Sequence, residues 1–277
     1  MRQRRGVQAS SGEHDGTVVP EHEGTLPYYL AASPAPPRGV LVVVHGRSRG
    51  ARPLFDAFAG PASSRRYLVV APVFDAVRYA GYQRLAGVVG PTAAAEALRR
   101  TLAGVVRDAG HALPLTIVGF SGGAQFAHRF ALALPDEVDR LVVAAAGWYT
   151  MPDPRTAYPY GLASSPTMPN GLPGLEAFLA LPVRVLVGDE DVERDVNLKI
   201  SGALDALQGP HRLERARRWV DALHAAAAAR GMRSNATLEL LPGAGHSARA
   251  AIERGGLVTR TLRFLDEHEQ ARDPRCA

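Results

Sequence analysis

The chain has 277 residues and a mass of 29.5 kDa, enough for one large domain or two small ones, and for a core that needs neither a disulfide nor a metal. Its 46% hydrophobic and 21% charged residues exclude a wholly disordered chain. The 32 Lys+Arg outnumber the 27 Asp+Glu, but they lie in scattered pairs and in the cluster Arg2, Arg4 and Arg5, too diffuse a pattern for a nucleic-acid surface.

The sequence opens on MRQRRGVQASSGEHDG, basic and polar, with no apolar stretch after it to act as a secretory core. No apolar run reaches the length of a membrane span. A soluble, cytoplasmic protein with no membrane partner is expected. Residues 1–16 are expected to form a flexible tail and residues 17–277 a single domain. The single cysteine, Cys276, allows no intramolecular disulfide and no cysteine-based zinc site. No metal and no cofactor is expected, and the oligomeric state is left open.

Thr17–Val19 and Thr25–Ala31, separated by Pro20 and Gly24, read as an opening hairpin or edge strands. Apolar runs follow at Val40–His45, Tyr67–Ala71, Leu115–Gly119, Leu141–Ala145, Val183–Gly188 and Thr237–Leu241. Most lack strict alternation, as expected of strands buried on both faces of a parallel sheet. Helical patterns fill 51–60, 92–109, 122–133, 211–230 and 247–269, with Thr92 as the expected cap of the second. This order predicts an α/β fold, an open and mostly parallel central sheet with helices on both faces. Residues 148–174 carry six prolines; they read as a short irregular, lid-like excursion or pocket wall above the sheet.

The sharpest local pattern is Gly119-Phe120-Ser121-Gly122-Gly123, between a strand and a helix. A serine on so tight a turn needs tiny neighbours two residues away, and the turn lifts its hydroxyl clear of the sheet. The following Gly122 N–H, at a helix start, points toward developing negative charge. A hydroxyl needs a base, and His246, on the loop after the last strand, is the expected one. His45 is its rival; His14, His22, His111, His128, His211, His224 and His268 fall in the tail, outer turns or helices. The imidazole needs a carboxylate, and Gly188-Asp189-Glu190-Asp191 offers three. Asp191 is the first choice, Asp189 the second, with Glu190 and Asp195 behind. The order Ser121, Asp191, His246 matches one of the known serine triads. The backbone N–H groups of Arg47, in His45-Gly46-Arg47, and of Gly122 are expected to form an anion hole. The side chains of Arg47 and Arg49 could meet an acidic substrate group or simply be solvated.

On Val44-His45-Gly46, Gly119-Phe120-Ser121-Gly122-Gly123, Gly188-Asp189-Glu190-Asp191 and Gly245-His246, the chain resembles the α/β-hydrolase superfamily from about residue 17 to its last helix. Within it, the resemblance is to the polyhydroxybutyrate-depolymerase-like and feruloyl-esterase-like group. That implies a serine esterase. The sequence carries neither the signal peptide nor the disulfides of that group's secreted members, nor a separate substrate-binding domain, so a small soluble ester is expected rather than an insoluble polymer. Trp148, Tyr149, Phe74, Tyr79 and Met168 are candidates for an apolar pocket, with Tyr82, Tyr158 and Tyr160 nearby in sequence. Thioesterase, lactonase, peptidase and acyltransferase chemistry use the same machinery, and a non-catalytic binding protein on this fold is the alternative of a different class. A dinucleotide-binding loop is disfavoured, since the Gly-x-Gly-x-x-Gly spacing is missing.

Overall fold

A computed structural model describes residues 16–270. The tail up to residue 15, with His14, and the end of the chain, with Cys276, lie outside the described residues. Eight strands form one sheet: β1 (Thr17–Val19), β2 (Tyr28–Ala31), β3 (Gly39–Val44), β4 (Tyr67–Pro72), β5 (Leu115–Phe120), β6 (Arg140–Ala144), β7 (Val183–Gly188) and β8 (Ala236–Leu241). Their order is β1-β2-β4-β3-β5-β6-β7-β8. β1 and β2 pair antiparallel at one edge, and every pairing from β4 to β8 is parallel.

The alternation hidden in the apolar runs emerges as two cores. Val40, Val42 and Val44 of β3 face one layer, while Leu41 and Val43 face the other. The first layer is covered by α2 (Ala93–Ala109), α3 (Gly122–Ala133), α4 (Leu175–Ala180) and α6 (Arg212–Ala228). The second is covered by α1 (Ala51–Ser63), α7 (Ala248–Glu253) and α8 (Leu257–Gln270). Both faces of the sheet are therefore buried, as the unbroken apolar strands require.

The single helix expected over 247–269 is two helices. Gly255 packs so closely on β8 that a Cβ there would stand 2.7 Å from the Leu241 Cβ, and Gly256 turns left-handed at φ +67. Two short helices carry no clear sequence signal: α4, and α5 (Gly202–Gln208), which Ser201 caps by accepting from Leu204 N at 3.2 Å. Thr92 stands at the start of α2, but its hydroxyl donates to the Glu96 carboxylate at 2.6 Å instead of capping a backbone N–H.

The irregular stretch after β6 sends its apolar side chains into the core. Tyr158, Leu162, Met168 and Leu172 are buried in the layer of α3 and α6. Its first residues are fastened to α5 and α6. Arg215 Nη1 donates to Gly147 O at 2.7 Å, Gln208 exchanges two hydrogen bonds with the Tyr149 backbone, and Trp219 Nε1 donates to Thr150 O at 2.9 Å. The prolines of the excursion expected over 148–174 keep it irregular, while its apolar residues still find burial.

Candidate active site

Ser121 follows the last residue of β5 with φ 53 and ψ −111, a conformation that L residues rarely adopt. The glycines around it have a steric reason. A Cβ on Gly119 would collide with the Gly123 carbonyl, and one on Gly123 with the carbonyls of Val44 and His45. Without side chains at these positions, α3 can start directly against β3.

The loops after β7 and β8 meet just as tightly. A Cβ on Gly188 would collide with Ala244 O, and Glu190 N donates to that carbonyl at 3.2 Å. This contact sets Asp191 beside His246. His246 Nδ1 donates to Asp191 Oδ2 at 3.0 Å, which leaves Nε2 to accept from the Ser121 hydroxyl, also at 3.0 Å. The Phe120 ring stacks on the imidazole, with centroids 5.7 Å apart and planes at 19°.

Asp189, the second choice for the acid, is exposed and accepts from Gly243 N at 2.8 Å. It fastens the His246 loop without touching the ring. Asp191 is buried, and behind it lies Arg212, 1% exposed, with Nη1 3.3 Å from Asp191 Oδ1. The same guanidinium holds both Asp195 oxygens, at 2.9 and 3.0 Å. These hydrogen bonds, Arg212's first, keep the Asp195 carboxyl below the usual carboxylate range. Asp195 was thus the weakest sequence candidate for orienting the imidazole, yet it anchors the arginine behind Asp191. The role of Arg212 leaves no trace in the sequence, because it depends on α6 passing under a loop some twenty residues earlier.

His45, the rival base, is fully buried with both nitrogens engaged. Nδ1 donates to Gly46 O at 2.8 Å and Nε2 accepts from Phe74 N at 3.1 Å. Burial brings its pKa down to about 4, so the ring is neutral. Its role is to shape the turn that carries Arg47. That turn abuts the serine: a Cβ on Gly46 would be 3.6 Å from Ser121 Cβ, and one on Gly122 would be 3.0 Å from Arg47 N. His128 is likewise buried and structural; it donates to Ala124 O and accepts from Thr150 N. His22, His111, His211, His224 and His268 do not line the cavity at Ser121.

That cavity measures about 550 Å³. Its apolar wall comes from α1 (Pro53, Leu54, Ala57) and from Ala248 and Ile252 of α7. The expected aromatic lining is not found there. Phe74, Tyr79, Tyr149 and Met168 are all buried in the core, and Tyr149 stacks on Trp219 with centroids 4.6 Å apart. Only Trp148 approaches, lining an adjoining cavity that shares Arg47, Gln125 and Asn197 with the first. Phe74 and Tyr79, after β4, and Tyr149 and Met168, after β6, are drawn inward because both segments pack into the core. The role of α1 as a pocket wall has no sequence signal, because Pro53 and Ala57 carry no chemistry of their own. Among the described residues no cluster of three His, Cys, Asp or Glu could hold a metal ion, and no helix is long and apolar enough to cross a membrane.

A mostly parallel sheet with this strand order, helices on both faces and a serine on a strained turn at the end of a central strand defines a hydrolase-fold enzyme. The structure is similar to that of LpqC, a poly(3-hydroxybutyrate) depolymerase from Bordetella parapertussis, with 31% identity and a TM-score of 0.72 over 86% of this chain and 83% of that one. It is also similar to poly(aspartic acid) hydrolase-1 from Sphingomonas sp. KT-1, with 27% identity and a TM-score of 0.73 over 86% and 92% of the two chains. A dienelactone-hydrolase-like protein from Klebsiella pneumoniae shares the fold alone, at 16% identity and a TM-score of 0.56 over 90% and 95%. No protein-family model and no curated protein matches the sequence. The chain belongs to the α/β-hydrolase superfamily and resembles its esterase and depolymerase members.

Proposed function

We propose that the protein is a serine hydrolase that cleaves small carboxylic esters through an acyl-enzyme. The observation that carries this reading is the continuous relay Ser121–His246–Asp191, with both links at 3.0 Å, at the mouth of a cavity whose walls are largely apolar. Likeness to a protein named for a polyester supports the ester class.

Ser121 Oγ attacks the acyl carbon as its proton passes to His246 Nε2. The developing oxyanion accepts hydrogen bonds from the backbone N–H groups of Arg47 and Gly122. The tetrahedral intermediate collapses, and the leaving alkoxide takes the proton from His246. Water then attacks the acyl-serine while His246 removes its proton; that proton returns to Ser121 Oγ as the acid departs. Asp191 fixes the Nδ1–H tautomer and stabilises the imidazolium.

A fluorophosphonate should label Ser121, and Ser121→Ala should abolish that label and lower turnover of 4-nitrophenyl acetate by at least about 10³-fold. A folded Ser121→Ala protein with unchanged turnover would overturn the proposal.

A further inference from the structure

Of the 32 residues that are lysine or arginine, only Lys199 is lysine. It lines the second cavity, of about 340 Å³, which adjoins the one at Ser121. Arg47 and Arg84 line it as well, and no carboxylate does. Among the described residues no acidic side chain pairs with any of these three. By contrast, the Arg249 that borders the first cavity is matched by Glu253 at 2.9 Å.

A buried cation sharpens the imbalance. Behind Trp148 lies Arg129, fully buried, with its guanidinium 4.1 Å from the indole centroid. It donates only to neutral oxygens, those of Thr150 Oγ1 and the Gln83 and Gln125 carbonyls, and its Nη2 has no partner. The Lys199 ammonium stands 5.4 Å from the same indole and 5.1 Å from the Tyr160 ring. Four cations around one small space repel one another, and a bound anion relieves that repulsion.

We infer that this second cavity is a subsite for a carboxylate-bearing arm of the substrate. The ester cleaved at Ser121 is then a half-ester of a dicarboxylic acid. The carboxylate meets Arg84 and Lys199, and the linker crosses Trp148. The inference rests on the hydrolase reading of Ser121 and adds the class of substrate. Arg49, the other arginine of the same loop, takes no part: it donates to the carbonyls of Phe74 and Tyr79 and lies over the Tyr82 ring.

The unique lysine supplies a test that needs no turnover. Amine acylation of the whole protein can modify only Lys199 and the chain's N-terminal amine, which serves as internal control. Adipate should slow acylation of Lys199 by at least about threefold, while neutral adipamide, or inorganic phosphate at equal ionic strength, should not. In parallel, kcat/KM for 4-nitrophenyl hydrogen adipate should exceed that for 4-nitrophenyl hexanoate by about tenfold. Arg84→Gln and Lys199→Gln should each reduce that ratio by about threefold. Equal protection by phosphate would reduce the cavity to a general anion sink and overturn the substrate assignment. Equal turnover of the two esters, without protection by adipate, would refute the subsite and leave the hydrolase reading standing. If neither ester is cleaved and no fluorophosphonate label appears, the hydrolase reading itself fails, and the substrate inference falls with it.

Discussion

Replacing Asp191 by asparagine should stop turnover without unfolding the protein, and the reason lies in Arg212. Its Nη1 faces Asp191 Oδ1 at 3.3 Å and requires an acceptor there. An asparagine at 191 must therefore turn its oxygen to Arg212 and its NH2 group to His246 Nδ1. The imidazole then carries its proton on Nε2 and cannot accept from Ser121. A wrong tautomer of this kind costs about 10⁴ in kcat, roughly 5 kcal/mol of barrier. The fold should persist, because Arg212 keeps Asp195 at 2.9 and 3.0 Å; a loss of about 1–3 kcal/mol is expected from the weakened buried contact. At Asp189→Asn the substituted oxygen can still accept from Gly243 N, now 2.8 Å away, and kcat should stay within about threefold at this exposed site. Initial rates with 4-nitrophenyl acetate, alongside thermal melts of both variants, decide the matter. Equal losses at the two positions, or an Asp191→Asn enzyme within tenfold of the parent, would refute the assignment of the acid and the tautomer argument together.

Other expected outcomes follow from the same contacts. Stability should fall as pH drops from about 6.5 toward 4: His45 is held neutral, with its pKa lowered to about 4, so the unfolded chain binds the extra proton across that window, a penalty of about 3 kcal/mol once complete. His128, also lowered by burial, adds to the same trend, and a Tm that is flat over this range would contradict both. Tyr149→Ala should destabilise the protein by about 3–5 kcal/mol by leaving a cavity beside Trp219, and should not widen the substrate pocket. Acyl preference should run from acetyl to about hexanoyl, each methylene adding about 0.8 kcal/mol until the wall of α1 and α7 is met. Ile252→Ala should extend that optimum, measured as kcat/KM over a 4-nitrophenyl ester series; a steady rise to palmitoyl in the parent enzyme would mean an open groove.

Most of the sheet was legible because buried parallel strands are written as unbroken apolar runs, and β7 matches its expected range to the residue. The relay was legible because the elbow glycines, the acidic turn and Gly245-His246 each sit at a strand end, where short-range sequence carries the signal. What stayed hidden depends on distant packing. The break between α7 and α8 arises from the contact of Gly255 with Leu241, and the pocket wall from helices that look like ordinary core formers. The aromatics misled because Trp148 and Tyr149 are neighbours in sequence but point to different places. Tyr149 is claimed by Trp219, whereas Trp148 borders the cationic cavity. Lys199 is the lone lysine of the sequence, but only the fold gives that solitude a meaning.

The strained serine ties fold and chemistry together. Its conformation costs about 1–3 kcal/mol and persists only if its surroundings hold it from both sides. Ser121 N donates to Ala144 O of β6 at 2.8 Å, and Gln125 N of α3 donates to Ser121 O at 3.1 Å. The glycines at 119 and 123 let α3 lie against β3 and keep those bonds short. A side chain at either glycine would push α3 away, relax the turn and withdraw Oγ from His246, so folding and turnover should fail together there. At Asp191 they should separate, because the buried arginine behind it keeps a second carboxylate. The site is therefore rigid where it must aim the hydroxyl, and chemically replaceable, without collapse, where it only sets a proton.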